Sequence, residues 1–303
     1  MLIPELADLQ RPQWRSHVPA LWRDNATIQL GDDVIIDRVS PEQVEWLRRL
    51  DGSHTGEQLG AELTFSLTDA RRLVRCLRAA GAVIDAATVP QALRFTAAEA
   101  RDALVRRWDA AVDQHRDPVR AIQMIDARDR LRVAIIGEGE LRDALARALE
   151  AAGLTEVATT ANAGCVVLAD AHHPDVPAHL DATYLDIPHL HVGVRGDRGV
   201  VGPMVVPGVT GCLRCAHLHR RDRDRAWSLL AVQWSQAGAS TADPLVVILA
   251  AAHAAQLVRT WVDEPRDRQR WADLAVELRL SWLQGQVVSR PPHPLCGCRW
   301  PAA

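Results

Sequence analysis

The chain has 303 residues, 48% of them hydrophobic, and a formal net charge of −3, which suits one large or two moderate domains with a buried core. Such a charge favours neither nucleic acid nor a membrane surface as a partner. The first residues lack the basic and apolar segments of a signal peptide, and the longest apolar run, 245–258, is too short to span a bilayer. We therefore expect a cytoplasmic protein in which this run is a buried helix. The sequence contains no lysine, so no mechanism can use one.

The first 90 residues predict a small module of strands and three helices. Two short strands, 26–30 and 34–36, flank a hairpin-like turn at Gly31. The helices are predicted to begin at Ser40, Thr55 and Thr68, where side chains suited to N-caps precede apolar residues at helical spacing. A further strand, 82–84, closes the module. This order of elements predicts a winged-helix domain over residues 1–90.

A winged helix binds either nucleic acid or a peptide, and the charge of this one argues against nucleic acid. The third helix carries four arginines that could contact phosphates, yet residues 1–90 contain 10 arginines against 13 acidic residues. A peptide that adds a strand to an exposed sheet edge is the alternative ligand. An arginine-rich surface on a purely structural domain stays open as a third interpretation.

If a peptide binds, we expect it to lie along the second strand and the third helix. The predicted peptide-binding residues are therefore Val34, Ile35, Ile36, Arg72 and Arg75. Acidic residues of the peptide would suit the two arginines.

Residues 91–130 predict a helical connector, interrupted at Asp117-Pro118. A buried strand, 131–136, follows, then a turn containing Gly137 and Gly139, and then a helix over 141–152. Strand, glycine turn and helix are the start of a Rossmann-type unit. We assign residues 131–303 to this second domain.

The glycine turn lacks the features of a working nucleotide-binding loop. Arg142 stands at the third glycine position, and Glu138 and Glu140 place carboxylates where phosphates would lie. No acidic residue follows the next strand, around Val157, to bind a ribose; Glu156 is expected to precede that strand. The loop of Gly137 and Gly139 is therefore predicted to be degenerate, and ATP is not expected as a cofactor.

Four of the six cysteines form two close pairs that are far apart in sequence. They are Cys212 with Cys215 and Cys296 with Cys298. Two chelating pairs suit one tetrahedral, closed zinc site of structural type. For either pair alone, a redox dithiol or unrelated buried thiols would also fit. His217, just after Cys215, is expected beside the zinc ligands rather than among them.

Three stretches, 201–215, 217–224 and 293–298, carry a resemblance to a known family. They resemble the E1-like, or ThiF-type, superfamily, and within it the leader-binding partner proteins of azoline-forming cyclodehydratases. The resemblance implies a winged helix that recognises the leader of a precursor peptide, and zinc held by C-x-x-C and a second cysteine pair. Active E1-like enzymes also bind ATP and adenylate a carboxylate, which the loop of this chain does not support.

The sequence thus predicts an α/β protein: an N-terminal winged-helix module followed by an E1-like Rossmann-type domain with a tetracysteine zinc site. We expect a non-catalytic partner, with no catalytic residues, that presents a peptide to a separate modifying enzyme. A homodimer is expected by analogy with E1-like folds. An ATP-dependent ThiF-type adenylyltransferase, a zinc-containing winged-helix transcription regulator and an unrelated structural adaptor remain as alternatives.

Overall fold

The computed structural model describes residues 3–15, 18–32, 34–88, 98–115, 118–170, 176–236, 241–266, 268–282 and 284–299. The chain forms two compact units, residues 1–123 and 124–303. The predicted division at residues 90 and 130 is finer than this one and stays a prediction.

The first unit combines short strands with small helices. Its strands are β1 (Pro12–Trp14), β2 (Ala20–Trp22), β3 (Ile28–Leu30), β4 (Val34–Ile36) and β5 (Val83–Asp85). Its helices are α1 (Pro41–Arg48), α2 (Gly56–Ala61), α3 (Leu67–Ala79) and α4 (Ala98–His115), and α5 (Pro118–Arg130) leads into the second unit. β1 pairs with β5, and β2, β3 and β4 form an antiparallel sheet with β3 in the middle.

Two of the predicted helix starts are confirmed by their caps. The Ser40 hydroxyl accepts a hydrogen bond from the Gln43 backbone, and the Gln43 side chain accepts one from the Ser40 N–H. Thr55 and Gln58 make the same reciprocal pair at the start of α2. Each capping box satisfies two backbone donors that the first helical turn leaves without partners.

The third helix begins earlier than predicted. Leu67 is its first residue, and Ser66 rather than Thr68 is the N-cap, because the Ser66 hydroxyl accepts a hydrogen bond from a backbone N–H of the first turn at 3.1 Å. Its inner face buries Leu73 and Leu77 completely, as predicted. Together with the buried residues of β3 and α1 they form the core of this unit.

Two helices, α4 and α5, occupy most of the predicted connector. Residues 91–97, 116 and 117 of the predicted connector, including Asp117 of the expected interruption, lie outside the described residues, and α5 begins at Pro118.

The second unit is built on one seven-stranded sheet. Its strands are β6 (Arg132–Ile136), β7 (Thr155–Val157), β8 (Cys165–Asp170), β9 (His189–Arg195), β10 (Arg198–Val205), β11 (Leu274–Arg279) and β12 (Gln286–Ser289). Their spatial order is β12-β11-β10-β9-β8-β6-β7; β7, β6, β8 and β9 are parallel, and the remaining pairings are antiparallel. The strand order reverses between β6 and β8, which is where open α/β sheets place their ligand crevice.

Helices cover both faces of this sheet. They are α6 (Glu140–Ala151), α7 (Val176–Tyr184), α8 (Leu213–Arg223), α9 (Trp227–Gln236), α10 (Pro244–Asp263) and α11 (Arg268–Trp271). Neighbouring residues of β6 belong to different cores: Val133 packs with α6 and α10, and Ala134 packs with the start of α8. This alternation explains why the parallel strands are apolar at successive positions.

The apolar run predicted as a buried helix is part of α10. This helix is 20 residues long, so the helix predicted from the run 245–258 was too short. By length and composition it could cross a membrane, but half of its most apolar window is buried, and it packs against α6, β9 and β10. These contacts are those of a core helix in an α/β domain.

A buried ion pair fixes the end of α5 to the end of α10. Arg128 donates to both carboxylate oxygens of Asp263, at 2.8 and 2.6 Å, and both side chains are almost fully buried. The bidentate geometry satisfies charges that would be costly to bury singly.

Candidate metal centre and glycine loop

Two distant chain segments meet at the four cysteines. The first is the loop after β10, in which the Thr210 hydroxyl accepts a hydrogen bond from the Val206 N–H at 2.8 Å. The second is the segment 290–299, which passes so close that a Cβ on Gly211 would lie 2.7 Å from the Arg290 carbonyl oxygen. Glycine at position 211 therefore permits the approach that brings the two cysteine pairs together.

The four sulfur atoms form one compact cluster, all within 4.8 Å of one another. Sγ–Sγ distances are 3.8 Å for Cys212–Cys215, 3.5 Å for Cys212–Cys296 and 3.4 Å for Cys215–Cys298. A regular tetrahedron with metal–sulfur bonds of about 2.3 Å has edges of about 3.8 Å. The observed distances are close to that value, so the cluster has the size that a tetrahedral zinc ion requires.

Local backbone geometry holds each pair in place. Cys212 is the N-cap of α8, so Cys215 lies in the first turn of the same helix. Between Cys296 and Cys298, Gly297 has φ +70°, a left-handed conformation that the short C-x-C link needs and that glycine adopts without strain. The Cys296 N–H donates to the His293 carbonyl at 3.0 Å, which closes the turn.

The thiols differ in acidity because their surroundings differ. Burial raises the pKa of Cys212 and Cys298 to about 12 and that of Cys296 to about 11. Burial also acts on Cys215, but hydrogen bonds from the backbone at His293 and Cys212 outweigh it and lower its pKa. A divalent cation would supply the positive charge that four neighbouring thiolates need. The donor set and its spacing therefore fit zinc, which the four cysteines would hold with no open coordination position.

Three histidines of the neighbouring segments make hydrogen bonds to groups other than the four sulfur atoms. His217 Nδ1 accepts a hydrogen bond from Trp227 Nε1 at 3.1 Å. His219 Nε2 contacts the Pro291 carbonyl oxygen at 3.0 Å. His293 Nε2 contacts the Asp222 carboxylate at 2.8 Å. We predicted that His217 lies beside the zinc ligands. In the structure its ring packs against Trp227.

One contact at this site escaped the sequence-based predictions. His293 joins the C-terminal segment to α8 through Asp222, and its backbone hydrogen-bonds to Cys215. Its side chain is buried. A histidine three residues before a C-x-C pair was the available signal, but its partner lies 71 positions earlier in the chain.

The glycine loop joins β6 to α6. Gly137 has φ +136°, and a Cβ there would lie 2.2 Å from the Ala169 carbonyl oxygen. Gly139 caps α6 with φ +79° and has open space around its missing Cβ. The first glycine is therefore required for packing of β6 against β8, whatever the loop binds.

The side chains around the loop pair with each other. Arg142, at the third glycine position, makes an ion pair with Glu156. Glu156 was expected to precede the second strand, but it lies within it, because β7 spans Thr155–Val157. From that strand its carboxylate reaches the first turn of α6. Glu138 and Glu140 are exposed at the same loop.

The predicted peptide-binding residues lie together in the first unit, where α3 packs against β4. Val34 is half-buried, Ile35 is half-exposed and Ile36 is buried. The Arg72 guanidinium donates to the backbone carbonyl oxygens of Asp37 (2.6 Å) and Arg38 (3.3 Å), just beyond β4. It thus ties the helix to the strand, whereas Arg75 is exposed on α3.

Comparison with known proteins rests on structures. No family model matches the chain, and no curated protein matches it. A heterocyclase solved with substrate and cofactor has a TM-score of 0.61 at 18% identity, over 96% of this chain and 39% of that one. The heterocyclase TruD has a TM-score of 0.62 at 18% identity, and the match covers 95% of this chain and 43% of TruD. Escherichia coli MccB, solved with MccA, has a TM-score of 0.57 at 12% identity, and the match covers 95% of this chain and 99% of MccB.

The chain has an E1-like fold. This confirms the resemblance seen in the sequence at the level of the fold, over both units. The chain spans about two fifths of the length of the heterocyclases and nearly the whole of MccB.

Proposed function

We propose that this chain is a non-catalytic, E1-like partner protein of peptide maturation. It binds a leader or partner peptide through a winged-helix module, residues 1–90, and presents the peptide to a separate modifying enzyme of the cyclodehydratase type. The heterocyclases with which it shares its fold are more than twice its length.

The observation that carries this proposal is the chemistry of the glycine loop. Arg142 and Glu156 neutralise each other beside it, and Glu138 and Glu140 add negative charge where nucleotide phosphates would lie. The chain also has no lysine to counter that charge. A loop of this kind keeps the fold of an adenylating enzyme and opposes the binding of ATP.

The edge of the first unit's three-stranded sheet supports peptide binding. Within the described residues β4 has a strand partner on one side only, β3. Ile35 is 50% exposed on the outer face, and Arg75 adds positive charge on the neighbouring helix. A peptide strand added to β4 would gain main-chain hydrogen bonds and cover Ile35.

In this proposal the metal is structural. Zinc held by four cysteines would fix the end of the chain to the start of α8, and a closed site would leave no position for a reacting water. Its contribution is to the stability of the second unit. A homodimer, a cytoplasmic location and the absence of nucleic-acid binding complete the proposal, and light scattering of the purified chain measures the first of these.

Affinity purification of the tagged chain from its native cell, followed by mass spectrometry, identifies the peptide and the modifying enzyme. Fluorescence anisotropy with the labelled peptide then locates the site. Ile35→Asp is expected to weaken binding at least tenfold because it places a carboxylate at the proposed contact. Leu21→Asp is the matched control, since Leu21 is 55% exposed on the same face but on the opposite edge strand. Equal effects of the two variants would refute strand addition at β4.

The main alternative is an adenylyltransferase, which the nearly full-length match to MccB keeps in view. ATP–pyrophosphate exchange in the presence of the captured peptide separates the two functions. We expect no exchange above the rate without protein, and robust exchange would establish the alternative.

A further inference from the structure

A small cavity of 60 Å³ lies in the second unit between α8 and the strands β9 and β10. Its lining includes His191, Pro203, His217, Arg220, Trp227 and Arg290. It is distinct from both the cysteine cluster and the glycine loop, and the proposed function makes no use of it.

The helix α8 presents one face to the cavity and another to the cysteine cluster. Leu213, Ala216, His217 and Arg220 line the cavity, and their spacing of three and four residues places them on one side of the helix. Cys212 and Cys215 begin the same helix. The orientation of the cavity wall therefore depends on the cysteine cluster at the helix start.

The charge of the lining is positive. The Arg220 guanidinium lies over the Trp227 ring, 4.9 Å from its centroid, and no carboxylate of the described residues forms an ion pair with it. Arg290 is compensated, because its Nη2 donates to Glu277 Oε1 at 2.5 Å. Burial lowers the pKa of Arg220, as does Arg290, and Glu277 opposes them by raising it. One excess positive charge is thus held at a half-buried position.

A second hydrogen-bond donor, the His217 imidazole, accompanies this charge. Trp227 Nε1 donates to His217 Nδ1 at 3.1 Å, so the neutral imidazole carries its proton on Nε2. In that tautomer the ring can donate a hydrogen bond through Nε2.

We propose that this cavity binds a single carboxylate group, held by the Arg220 guanidinium with help from His217 and Arg290. A guanidinium and a carboxylate match as a planar donor fork and a two-oxygen acceptor. A cavity needs about 10–15 Å³ for each water-sized group, so the volume of 60 Å³ suits a group of four to six heavy atoms. Acetate, or the acidic side chain of a peptide, has that size.

The same lining disfavours phosphate. Arg290 is paired with Glu277, so a doubly charged phosphate would keep one negative charge uncompensated in this partly buried site. With one excess positive charge, the lining balances one negative charge. The proposal is independent of peptide capture at β4, since each site can fail its test while the other passes.

The test is a titration of the full, zinc-loaded, ¹⁵N-labelled chain, observed through the indole N–H signal of Trp227. The variant Trp227→Phe assigns that signal. Sodium acetate is added at constant ionic strength against sodium chloride, and sodium phosphate is titrated in parallel. We expect a saturable shift with a dissociation constant of about 1–10 mM for acetate, the range for one charge-assisted group of few atoms.

Three variants decide the assignment. Arg220→Gln is expected to weaken acetate binding at least tenfold, and Arg225→Gln, an exposed arginine outside the lining, is expected to leave it unchanged. Glu277→Gln is expected to tighten binding, by about fivefold, because it removes the nearest negative charge. A damaged fold cannot produce that gain, so this variant decides the matter even if Arg220→Gln proves unstable.

N-acetyl-glutamate amide distinguishes the two sources of the carboxylate. Tighter binding of this probe than of acetate assigns the cavity to an acidic side chain of a peptide, and weaker binding assigns it to a small free acid. Tighter binding of phosphate than of acetate would overturn the proposal. An acetate shift that Arg220→Gln leaves intact, or no shift at all, would also overturn it.

Discussion

The cysteine cluster and the glycine loop lie in the same unit, but their side chains differ in how well they suit the ligand that each would hold. At the cluster every side chain that the chemistry needs is present, and Cys212 and Cys296 meet at 3.5 Å although 84 positions separate them. At the loop the glycine backbone is held by packing, and in the proposed account the exposed carboxylates of Glu138 and Glu140 oppose a phosphate. Under the proposed function, the difference means that packing alone can preserve a glycine turn that binds no nucleotide.

Gly137 makes this point at the level of one atom. Its missing Cβ is required by the Ala169 carbonyl, so the glycine is needed even if no nucleotide binds. A glycine motif therefore says less about function than a cysteine quartet does, since cysteines at chelating spacing have few structural reasons to converge.

The largest expected effect is at the cysteine cluster. Cys298→Ser should abolish stoichiometric zinc and lower the free energy of unfolding by several kcal/mol, because zinc binding contributes directly to folding. Metal analysis and chemical denaturation measure the two effects. Cys76→Ala, which changes a cysteine of the other unit, should keep its zinc. A Cys298→Ser variant that stays fully stable and zinc-loaded would show that the cluster is not a clamp.

The next effect separates packing from ligand binding at the glycine loop. Gly137→Ala should cost about 3 kcal/mol or more, because the new methyl group meets a backbone oxygen at a positive φ. Gly139→Ala should cost about 1–2 kcal/mol, the cost of positive φ alone, since open space surrounds its position. Thermal unfolding of both variants gives the difference. Similar losses for the two would mean that the structural role assigned to Gly137 is wrong.

Acid should lower the free energy of unfolding of the second unit through a buried pair of histidines, His179 and His189. His179 Nδ1 and His189 Nε2 are 2.6 Å apart, and burial together with His189 lowers the pKa of His179 to about 4. The folded pair stays neutral while the unfolded chain binds protons below about pH 6.5. Stability is thus complete above pH 6.5 and falls by about 2–3 kcal/mol as the pH approaches 4.

His179→Gln keeps a hydrogen-bond donor and cannot titrate, so its unfolding free energy should depend less on pH over this range. Zinc content recorded at each pH separates this effect from loss of the metal. An unchanged pH dependence in His179→Gln would rule out the histidine pair as its source.

The smallest expected effect is at the ion pair beside the loop. Glu156→Gln should destabilise the chain by about 0.5–1 kcal/mol, because both side chains are about one third exposed. It should not create ATP binding, since Glu138 and Glu140 remain. Calorimetric titration with ATP checks this, and micromolar binding by Glu156→Gln alone would mean that a single ion pair had blocked an otherwise working site.

Local signals in the sequence were enough for the caps at Ser40 and Thr55 and for the four cysteines. A capping box spans four residues, and chelating cysteine pairs have a spacing that the metal dictates. Cys165 is fully buried for a similarly local reason, since it lies in a continuous apolar strand.

Predictions failed where a distant residue decides the outcome. The contact between Glu156 and Arg142 depends on β7 running beside β6, and the one between His293 and Asp222 on the end of the chain returning to α8. The carboxylate-sized cavity likewise needs Arg220 and Arg290 from segments far apart in sequence. Ser66 as the cap of α3 is a smaller error, because Thr68 has a similar capping tendency two residues later.

The central proposal is that the four cysteines of this chain hold zinc and that its glycine loop binds no nucleotide. Native mass spectrometry of the purified chain, with and without millimolar ATP, measures zinc content and ATP binding in one experiment. The account predicts a species with one zinc ion for each chain and no change when ATP is added. A folded chain without zinc, or a stoichiometric ATP adduct, would contradict it.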